Sequence, residues 1–359
     1  MKVGIISQNK EVNIIGINRV TVGTLNALLR VDNKNEYCFI GDAYWLGIDM
    51  PYVPIVPATN RPILLNYLLS EYKFDVIHSH YRPFHFSNKF HCGKVLTIHD
   101  LIPFKYPDYA PPDAHAYFDE CIRQSAEEAD VIIAVSKCTK NDIIQCYGIP
   151  EEKIEVVYNG LYPQDFISVD MVEVVEGLEN EEFLLSVSGI GKNKNQKGIV
   201  ESFLVYKQRH PSNNVKLVLT GAIRQYETVQ YILSKYSNIA DEVVFTGFVN
   251  DAQLAWLYRQ ATAFIYASFY EGFGLPILEA MSMGKAVIAS NTSSMPEVGG
   301  EAAEYCDPGD VDSMAVSMER VLEDRAYREH LQEKALIQAQ KFSYENAAKQ
   351  TLEIYSRFE

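Results

Sequence analysis

The sequence predicts an α/β protein built from two Rossmann-like domains whose parallel sheets face each other across a cleft. A chain of 359 residues is long enough for two domains. Strand-like and helix-like segments alternate along it, which is typical of βαβ units and therefore of parallel sheets. A cluster of turn residues, Asn159-Gly160 with a Tyr-Pro-Gln-Asp run just after it, divides this alternation into two halves.

The first predicted domain comprises residues 1–162. Its strands are predicted from short apolar runs: Lys2–Ser7, Glu36–Gly41, Val76–His80, Lys94–His99 and Val131–Val135. The helices between them are predicted at Val20–Arg30, Pro62–Glu71, Pro112–Glu128 and Thr139–Tyr147. We expect Thr139 and Asp142 to form a capping box for the last helix and Gly148 to end it.

The second predicted domain, residues 163–345, repeats the same alternation. Its predicted strands are Phe183–Val187, Lys216–Thr220, Glu242–Thr246, Ala263–Tyr266, Ala286–Ala289 and Ala302–Tyr305. Its predicted helices are Lys197–Arg209, Glu227–Tyr236, Asp251–Gln260 and Ile277–Met283, with a further helical run from Val311. In parallel sheets of this kind, ligands bind beyond the carboxyl ends of the strands.

The composition of the chain argues against nucleic acids and membranes as main binding partners. The net charge of −15 argues against non-specific nucleic-acid binding and offers no polybasic patch to an anionic membrane. The chain lacks a run of about eighteen apolar residues, so no membrane span is expected. The six cysteines are scattered, which is typical of reduced thiols in a cytosolic protein. We therefore expect a cytoplasmic protein with at most a peripheral contact at the inner face of the membrane.

The stretch from Tyr266 to Ala280 is the most informative part of the sequence. It predicts a strand that ends at Tyr266, a turn through Gly272 and Gly274, and a helix with Pro276 in its first turn. The amide groups and the positive dipole end of such a helix form a ready site for a phosphate. Two glutamates, Glu271 and Glu279, accompany the turn, and ionised carboxylates accept hydrogen bonds from sugar hydroxyls.

Glu271 and Glu279, separated by seven residues and set within Glu-Gly-Phe-Gly-Leu-Pro, closely resemble the E-x7-E motif of retaining glycosyltransferases of the GT4 family. The alternative is an ordinary βα unit with two solvated glutamates. The resemblance implies the GT-B fold, a nucleotide-diphosphate sugar as donor, and a C-terminal helix, residues 346–359, that crosses back to the first domain. It also implies roles for the turn: Glu271 and the amides of Gly272, Phe273, Gly274 and Leu275 would hold the sugar and diphosphate, and Glu279 the ribose hydroxyls.

A lysine-rich loop follows the strand Phe183–Val187. Lys192, Lys194 and Lys197 lie within six residues, and an ammonium there can neutralise the charge that builds on a leaving diphosphate. By resemblance, Lys194 matches the family's lysine, and the position of its usual arginine falls on Gly189. Lys192 or Lys197 would then replace that arginine. A solvated loop is the alternative for at least one of the three lysines.

Further candidate residues follow other strands. Gly247, Phe248 and Val249 come at a strand end, where the family holds the nucleotide base; the alternative places Phe248 in the core. His99 ends a strand of the first domain, which suits a cleft residue, and it resembles the family's histidine near the donor sugar. Gly16 resembles a glycine of the same family, at which the protein backbone can approach the donor phosphate or the acceptor closely.

No metal site is predicted. His78 and His80 share one face of a strand, but no cysteine or carboxylate is arranged to complete a zinc site. Asp310 and Asp312 have Asp-x-Asp spacing and are better explained as a helix cap. GT-B enzymes generally need no catalytic metal, so the resemblance implies no cofactor beyond the nucleotide-sugar substrate.

The sequence thus predicts a retaining hexosyltransferase with Glu271, Lys194 and His99 as catalytic candidates. Gly16–Leu25, Asn35-Glu-Tyr37 and Thr97–Pro103 resemble the mannosyltransferase-like branch that assembles bacterial surface polysaccharides. The expected donor is GDP-mannose or a UDP-sugar, and the expected acceptor is a glycan or a lipid-linked sugar. Two alternatives remain: a nucleotide-sugar epimerase of the same architecture, and a non-catalytic glycosyltransferase partner subunit.

Overall fold

The computed structural model describes residues 1–6, 15–40, 52–53, 71–80, 91–109, 114–161, 173–187, 189, 191–222, 226–236 and 239–359. Their contacts divide the chain into two units. The first unit is Met1–Gly160 together with Phe342–Glu359, and the second is Leu161–Lys341. The chain therefore passes from the first unit to the second just after the Asn159-Gly160 turn, and it returns to the first unit at Phe342.

The first unit contains a seven-stranded parallel sheet in the order β3-β2-β1-β4-β5-β6-β7. The strands are β1 (Lys2–Ile6), β2 (Glu36–Ile40), β3 (Tyr52–Val53), β4 (Val76–His80), β5 (Gly93–Ile98), β6 (Val131–Ala134) and β7 (Ile154–Val156). All five strands predicted for this half are present. The short strands β3 and β7 were not predicted, because runs of two or three residues carry no clear periodicity.

The helices of the first unit are α1 (Ile15–Val31), α2 (Ile102–Lys105), α3 (Ala114–Tyr117), α4 (Arg123–Glu128), α5 (Lys137–Tyr147) and a C-terminal helix (Tyr344–Tyr355). A π-helical turn, Phe118–Ile122, joins α3 to α4. Residues 62–70 of one predicted helix lie outside the described residues, as do the ends of two predicted strands at Ser7 and Gly41.

The predicted capping box at Thr139 is wrong. Helix α5 begins two residues earlier, and Ser136 is its N-cap, accepting a 3.0 Å hydrogen bond from the Thr139 amide. Ser136 has the extended backbone that an N-cap needs, which places Thr139 inside the first turn. Gly148 ends the helix with a left-handed backbone, φ 68°, as predicted.

The C-terminal helix packs against α1 within the first unit. Gly23 of α1 faces the ring of Tyr344, and a Cβ at that glycine would lie 2.2 Å from the ring. The Tyr344 hydroxyl also donates a 3.3 Å hydrogen bond to the Arg19 carbonyl. These contacts explain why the last eighteen residues belong to the first unit.

The second unit contains a six-stranded parallel sheet in the order β10-β9-β8-β11-β12-β13. The strands are β8 (Phe183–Val187), β9 (Lys216–Thr220), β10 (Val243–Gly247), β11 (Ala263–Tyr266), β12 (Val287–Ser290) and β13 (Ala303–Cys306). Each lies within one residue of its predicted bounds. Because β11 pairs with β8 and β12, the residues that follow these three strands meet at one edge of the sheet.

The helices of this unit are α6 (Gln196–Arg209), α7 (Tyr226–Ser234), α8 (Asp251–Gln260), α9 (Leu275–Ser282), α10 (Met295–Gly299), α11 (Val311–Glu323) and α12 (Arg325–Ala339). Among the helices described for this unit, only α10, a helix of five residues, has no counterpart among the predicted elements. Buried side chains from β8, β9, β11 and β12 pack with α6 and α11 to form the core of this unit. The two parallel sheets with their helices confirm the predicted α/β class.

Candidate functional site

The turn between β11 and α9 follows the strand–turn–helix plan expected from the sequence. Gly274 immediately precedes the helix with a left-handed backbone, φ 108° and ψ 47°, a conformation that favours glycine. Pro276 lies in the first turn of α9, where a missing amide hydrogen has no cost. The N-terminus of α9 therefore lies directly after Glu271 and the glycines, with its dipole able to favour an anion.

Two serines after β12 hold this turn. The Ser294 hydroxyl bonds to the carbonyls of Glu271, at 2.9 Å, and Phe273, at 2.7 Å. The Glu271 amide in turn donates a 3.0 Å hydrogen bond to the Ser293 hydroxyl. The backbone of Glu271 is thus held on both sides. Sequence reasoning missed these serines, although the polar run after β12 and the adjacency of β11 and β12 were signals that could have found them.

Lys194 and Glu271 form the central ion pair of the site. The Lys194 ammonium lies 2.8 Å from each carboxylate oxygen of Glu271 and 3.1 Å from the Tyr266 hydroxyl. Tyr266 is the last residue of β11, and Lys194 ends a 3-10 turn before α6. The structure therefore brings together two of the three predicted catalytic residues and adds Tyr266, which the sequence did not single out.

The electrostatics of the pair follow from burial and proximity. Burial alone would lower the pKa of Lys194, but the Glu271 carboxylate outweighs that effect and raises the pKa above its ordinary value. Burial and the Glu271 charge both raise the pKa of Tyr266. Lys194 is therefore a cation and Tyr266 a neutral phenol at physiological pH, and the ammonium is a positive charge held against the Glu271 carboxylate.

Two asparagines on either side of Lys194 hold its loop against the turn. The Asn193 side chain donates to the Tyr270 carbonyl at 2.9 Å and to Glu271 Oε1 at 3.3 Å. Asn195, with a left-handed backbone at φ 53°, donates to the carbonyls of Ala267 and Pro308. Sequence reasoning gave no role to either side chain, because their partners lie far along the chain.

Glu279 lies in the second turn of α9, because the helix begins at Leu275. It is buried, and its Oε2 accepts a 2.7 Å hydrogen bond from the Tyr258 hydroxyl. Both glutamates of the motif are therefore buried and hydrogen-bonded. The alternative in which they are two solvated surface acids is wrong.

The other predicted donor-site residues occupy varied environments. Gly247 ends β10 with φ 68°, and its carbonyl accepts a 2.8 Å hydrogen bond from Gly221. Phe248 is 72% exposed, so the alternative that places it in the core is wrong, and Val249 is half-buried. Gly189 and Lys192 are exposed.

Lys197, the third lysine of the loop, has a different environment from Lys194. Its ammonium lies 3.1 Å from Glu201, one helical turn further along α6. The two lysines therefore differ in their partners, although they are three residues apart in the sequence.

In the first unit, His99 follows β5 directly and is buried. Burial lowers its pKa to about 3, so the imidazole is neutral at physiological pH. Its carbonyl accepts a 3.3 Å hydrogen bond from the Thr139 hydroxyl. Gly16 lies in the first turn of α1.

A small cavity of about 20 Å³ also lies in the first unit, which is room for about one water molecule. It is lined by His78, His80 and Thr97 from the sheet and by residues of α1 and the C-terminal helix. His78 hydrogen-bonds to Thr97 at 2.7 Å and to Tyr355 at 2.6 Å. His78 thus forms part of a buried hydrogen-bond network, and the His80 ring packs beside it with the ring centroids 4.3 Å apart.

The described residues contain no group of three or more histidine, cysteine or acidic side chains placed to hold a metal ion. Asp310 caps α11, accepting from the amides of Asp312 and Ser313, as the cap prediction stated. All six cysteines are free thiols. Within the same described ranges, each helix is too short or too polar to cross a bilayer.

Comparison with known proteins connects this geometry to a family. Residues 172–338 match the family model described as glycosyl transferases group 1, and residues 38–165 match the model of glycosyltransferase family 4. The O-antigen chain mannosyltransferase B of Escherichia coli is 33% identical over 270 residues, which cover 73% of this chain and 69% of that protein.

A serotype-specific mannosyltransferase, WbdA of Escherichia coli, is 30% identical over 73% of this chain, and the match spans about a third, 33%, of that longer protein. Among solved structures, HepE of Anabaena in complex with UDP and glucose superposes with a TM-score of 0.72 at 17% identity, covering 99% of this chain and 100% of that one. The two parallel-sheet units are those of the GT-B fold, and the chain belongs to the GT4 family of glycosyltransferases.

Proposed function

We propose that the chain is a retaining hexosyltransferase that transfers a sugar from a nucleotide-diphosphate sugar to a glycan or lipid-linked acceptor in surface polysaccharide assembly. The observation that carries the proposal is the Lys194–Glu271 ion pair, whose carboxylate lies in the turn just before helix α9. It combines a cation for a leaving diphosphate with a carboxylate for sugar hydroxyls. Relatives named as O-antigen and serotype-specific mannosyltransferases support GDP-mannose as the donor. The UDP complex of HepE supports a UDP-sugar.

Each residue has a defined task in this proposal. The Lys194 ammonium neutralises the diphosphate as the bond between it and the sugar breaks. Glu271 accepts hydrogen bonds from the sugar, and Glu279, held by Tyr258, accepts them from the ribose. The acceptor oxygen attacks the same face of the sugar that the diphosphate leaves, and a phosphate oxygen takes the acceptor proton. Catalysis is then mainly positioning and electrostatic stabilisation.

Substitution of the central pair tests the proposal. We expect Glu271→Ala and Lys194→Ala each to reduce transfer by at least about a hundredfold, the typical effect of removing a group that stabilises transition-state charge. Glu301→Ala is the control, because Glu301 is an exposed glutamate of the same unit. Near-wild-type transfer by a folded Glu271→Ala protein would show that this is not the active site.

The donor is identified by thermal shift against UDP, GDP, ADP and their sugars, because a ligand that binds only the folded state raises its stability. Product analysis without acceptor separates the transferase from an epimerase, which would change the donor sugar alone. A protein that binds none of these nucleotides would fit the non-catalytic subunit.

We also propose that transfer needs no metal ion, because Lys194 supplies a cation at the site. Unchanged activity in excess EDTA would support this, and activity that EDTA removes and Mg²⁺ restores would contradict it. A lipid-linked acceptor would place the protein at the inner face of the membrane. Co-sedimentation with vesicles that carry such an acceptor, compared with plain vesicles, tests that location.

A further inference from the structure

The ammonium of Lys194 already has a full set of partners. It can donate three hydrogen bonds, and three oxygens lie within range: both carboxylate oxygens of Glu271, at 2.8 Å, and the Tyr266 hydroxyl, at 3.1 Å. A phosphate oxygen that approaches this ammonium must therefore replace one of these partners. A diphosphate and a carboxylate are also like charges, and they disfavour each other at close range.

Resting on the function proposed above, we propose that Glu271 is an internal counter-ion that the donor diphosphate displaces from Lys194, and that its return to Lys194 promotes release of the nucleoside diphosphate after transfer. The donor satisfies both residues at once, because its phosphates pair with Lys194 and its sugar hydroxyls donate to Glu271. The product has lost the sugar. After transfer, the Glu271 carboxylate no longer has the sugar hydroxyls as hydrogen-bond donors. It then repels the product phosphates and competes with them for the Lys194 ammonium.

The surrounding contacts allow this exchange to occur by side-chain movement. Ser293 and Ser294 hold the Glu271 backbone, and Asn193 donates to its Oε1 at 3.3 Å. Tyr266 provides a second partner for the ammonium during the exchange. The Lys194 side chain is 20% exposed, so part of it faces solvent.

Titration calorimetry with inorganic pyrophosphate, UDP and GDP tests the exchange, because pyrophosphate reports on the phosphate subsite without a base or a sugar. We expect Glu271→Gln to bind pyrophosphate and the preferred nucleoside diphosphate about tenfold more tightly than the wild type, since a competing and repelling charge is removed. The same variant should transfer sugar more slowly and should be inhibited more strongly by the nucleoside diphosphate. Equal or weaker binding by the variant would overturn the proposal.

A double-mutant cycle separates exchange from simple repulsion. In a Lys194→Met background, only the repulsion between Glu271 and the phosphates remains. The increase in pyrophosphate affinity caused by Glu271→Gln should therefore be clearly smaller than in the wild type. An equal gain in both backgrounds would show that Glu271 only repels the ligand. Glu301→Gln, which neutralises an exposed glutamate of the same unit, should leave pyrophosphate binding unchanged.

Glu271→Asp provides a second variant if the glutamine substitution impairs folding. It keeps the charge but shortens the side chain by one methylene, so the pair weakens and pyrophosphate binding should tighten by less than in Glu271→Gln. No tightening would again overturn the exchange. If the wild-type protein binds none of pyrophosphate, UDP and GDP, the proposed donor site is wrong. If the wild type binds them but the Glu271 variants bind no more tightly, only the proposed exchange is wrong.

Discussion

His78 and Tyr355 are hydrogen-bonded at 2.6 Å although 277 residues separate them in the sequence. His78 lies in β4, near the middle of the first unit's sheet, and Tyr355 is the last residue of the C-terminal helix. Both side chains are fully buried. The contact therefore joins the end of the chain to the sheet of the first unit through one polar pair.

Tyr355→Phe should reduce the free energy of unfolding by about 1–3 kcal/mol, because it leaves the buried His78 nitrogen without its partner. Urea denaturation at pH 7.5 measures the loss. Tyr231→Phe is the control, since Tyr231 is 63% exposed and should change little. If the two substitutions have equal effects, the His78–Tyr355 bond contributes nothing to stability.

Stability should fall in mild acid because of three buried histidines. Burial holds the pKa of His78 well below its ordinary value, that of His80 at about 4 and that of His99 at about 3. Unfolding returns each pKa to about 6.5, so below that pH the unfolded chain binds more protons. Stability from these groups is fully present above about pH 6.5 and is lost as the pH falls towards the folded values, at about 1.4 kcal/mol per pH unit for each histidine.

Urea midpoints between pH 7.5 and 5 check this slope. His80→Asn should reduce the slope of unfolding free energy against pH by about the contribution of one histidine. His80 is buried, and among the described residues neither of its ring nitrogens has a hydrogen-bond partner. His330→Asn, at an exposed position, should leave the slope unchanged. An identical slope in the wild type and His80→Asn would contradict the prediction.

Ser294→Ala should impair transfer as well as stability, because the Ser294 hydroxyl bonds to the carbonyls of Glu271 and Phe273. We expect a loss of about 1–3 kcal/mol in unfolding free energy and a clear fall in kcat. Ser202→Ala is a matched control, since its buried hydroxyl donates to the Ile199 carbonyl within α6. It should lose stability but keep its specific activity; equal kcat for both variants would show that Ser294 does not position Glu271.

Tyr258→Phe should raise the KM for the donor about fivefold, the equivalent of one hydrogen bond of about 1 kcal/mol, while kcat changes less. Tyr258 orients Glu279, which we propose contacts the ribose and not the reacting atoms. Tyr327→Phe is a matched control, because the Tyr327 hydroxyl bonds to Glu304 at 2.6 Å elsewhere in the unit. Steady-state kinetics at varied donor concentration give KM and kcat for each variant. An unchanged KM in Tyr258→Phe would exclude a role for Tyr258 and Glu279 in donor binding.

Local patterns were sufficient for most of the fold. Alternating strands and helices predicted the parallel sheets, and two glycines with a proline predicted the turn before α9, because these signals depend on residues near one another in the chain. The error at the start of α5 is also local: Ser136 and Thr139 are both good N-caps, and the backbone at Ser136 decides between them. Phe248 was harder to place, because an aromatic residue suits a core equally well.

The sequence by itself determined the α/β class, the strand–turn–helix motif, and the identity of Lys194, Glu271 and Glu279 as candidates. The tertiary structure alone decided that Lys194 pairs with Glu271, 77 residues away, that Ser294 holds the turn, and that Tyr355 meets His78. Secondary structure follows from short-range periodicity and backbone preference. Pairing between distant side chains depends on which strands and helices become neighbours, and that order is set by packing of the whole sheet.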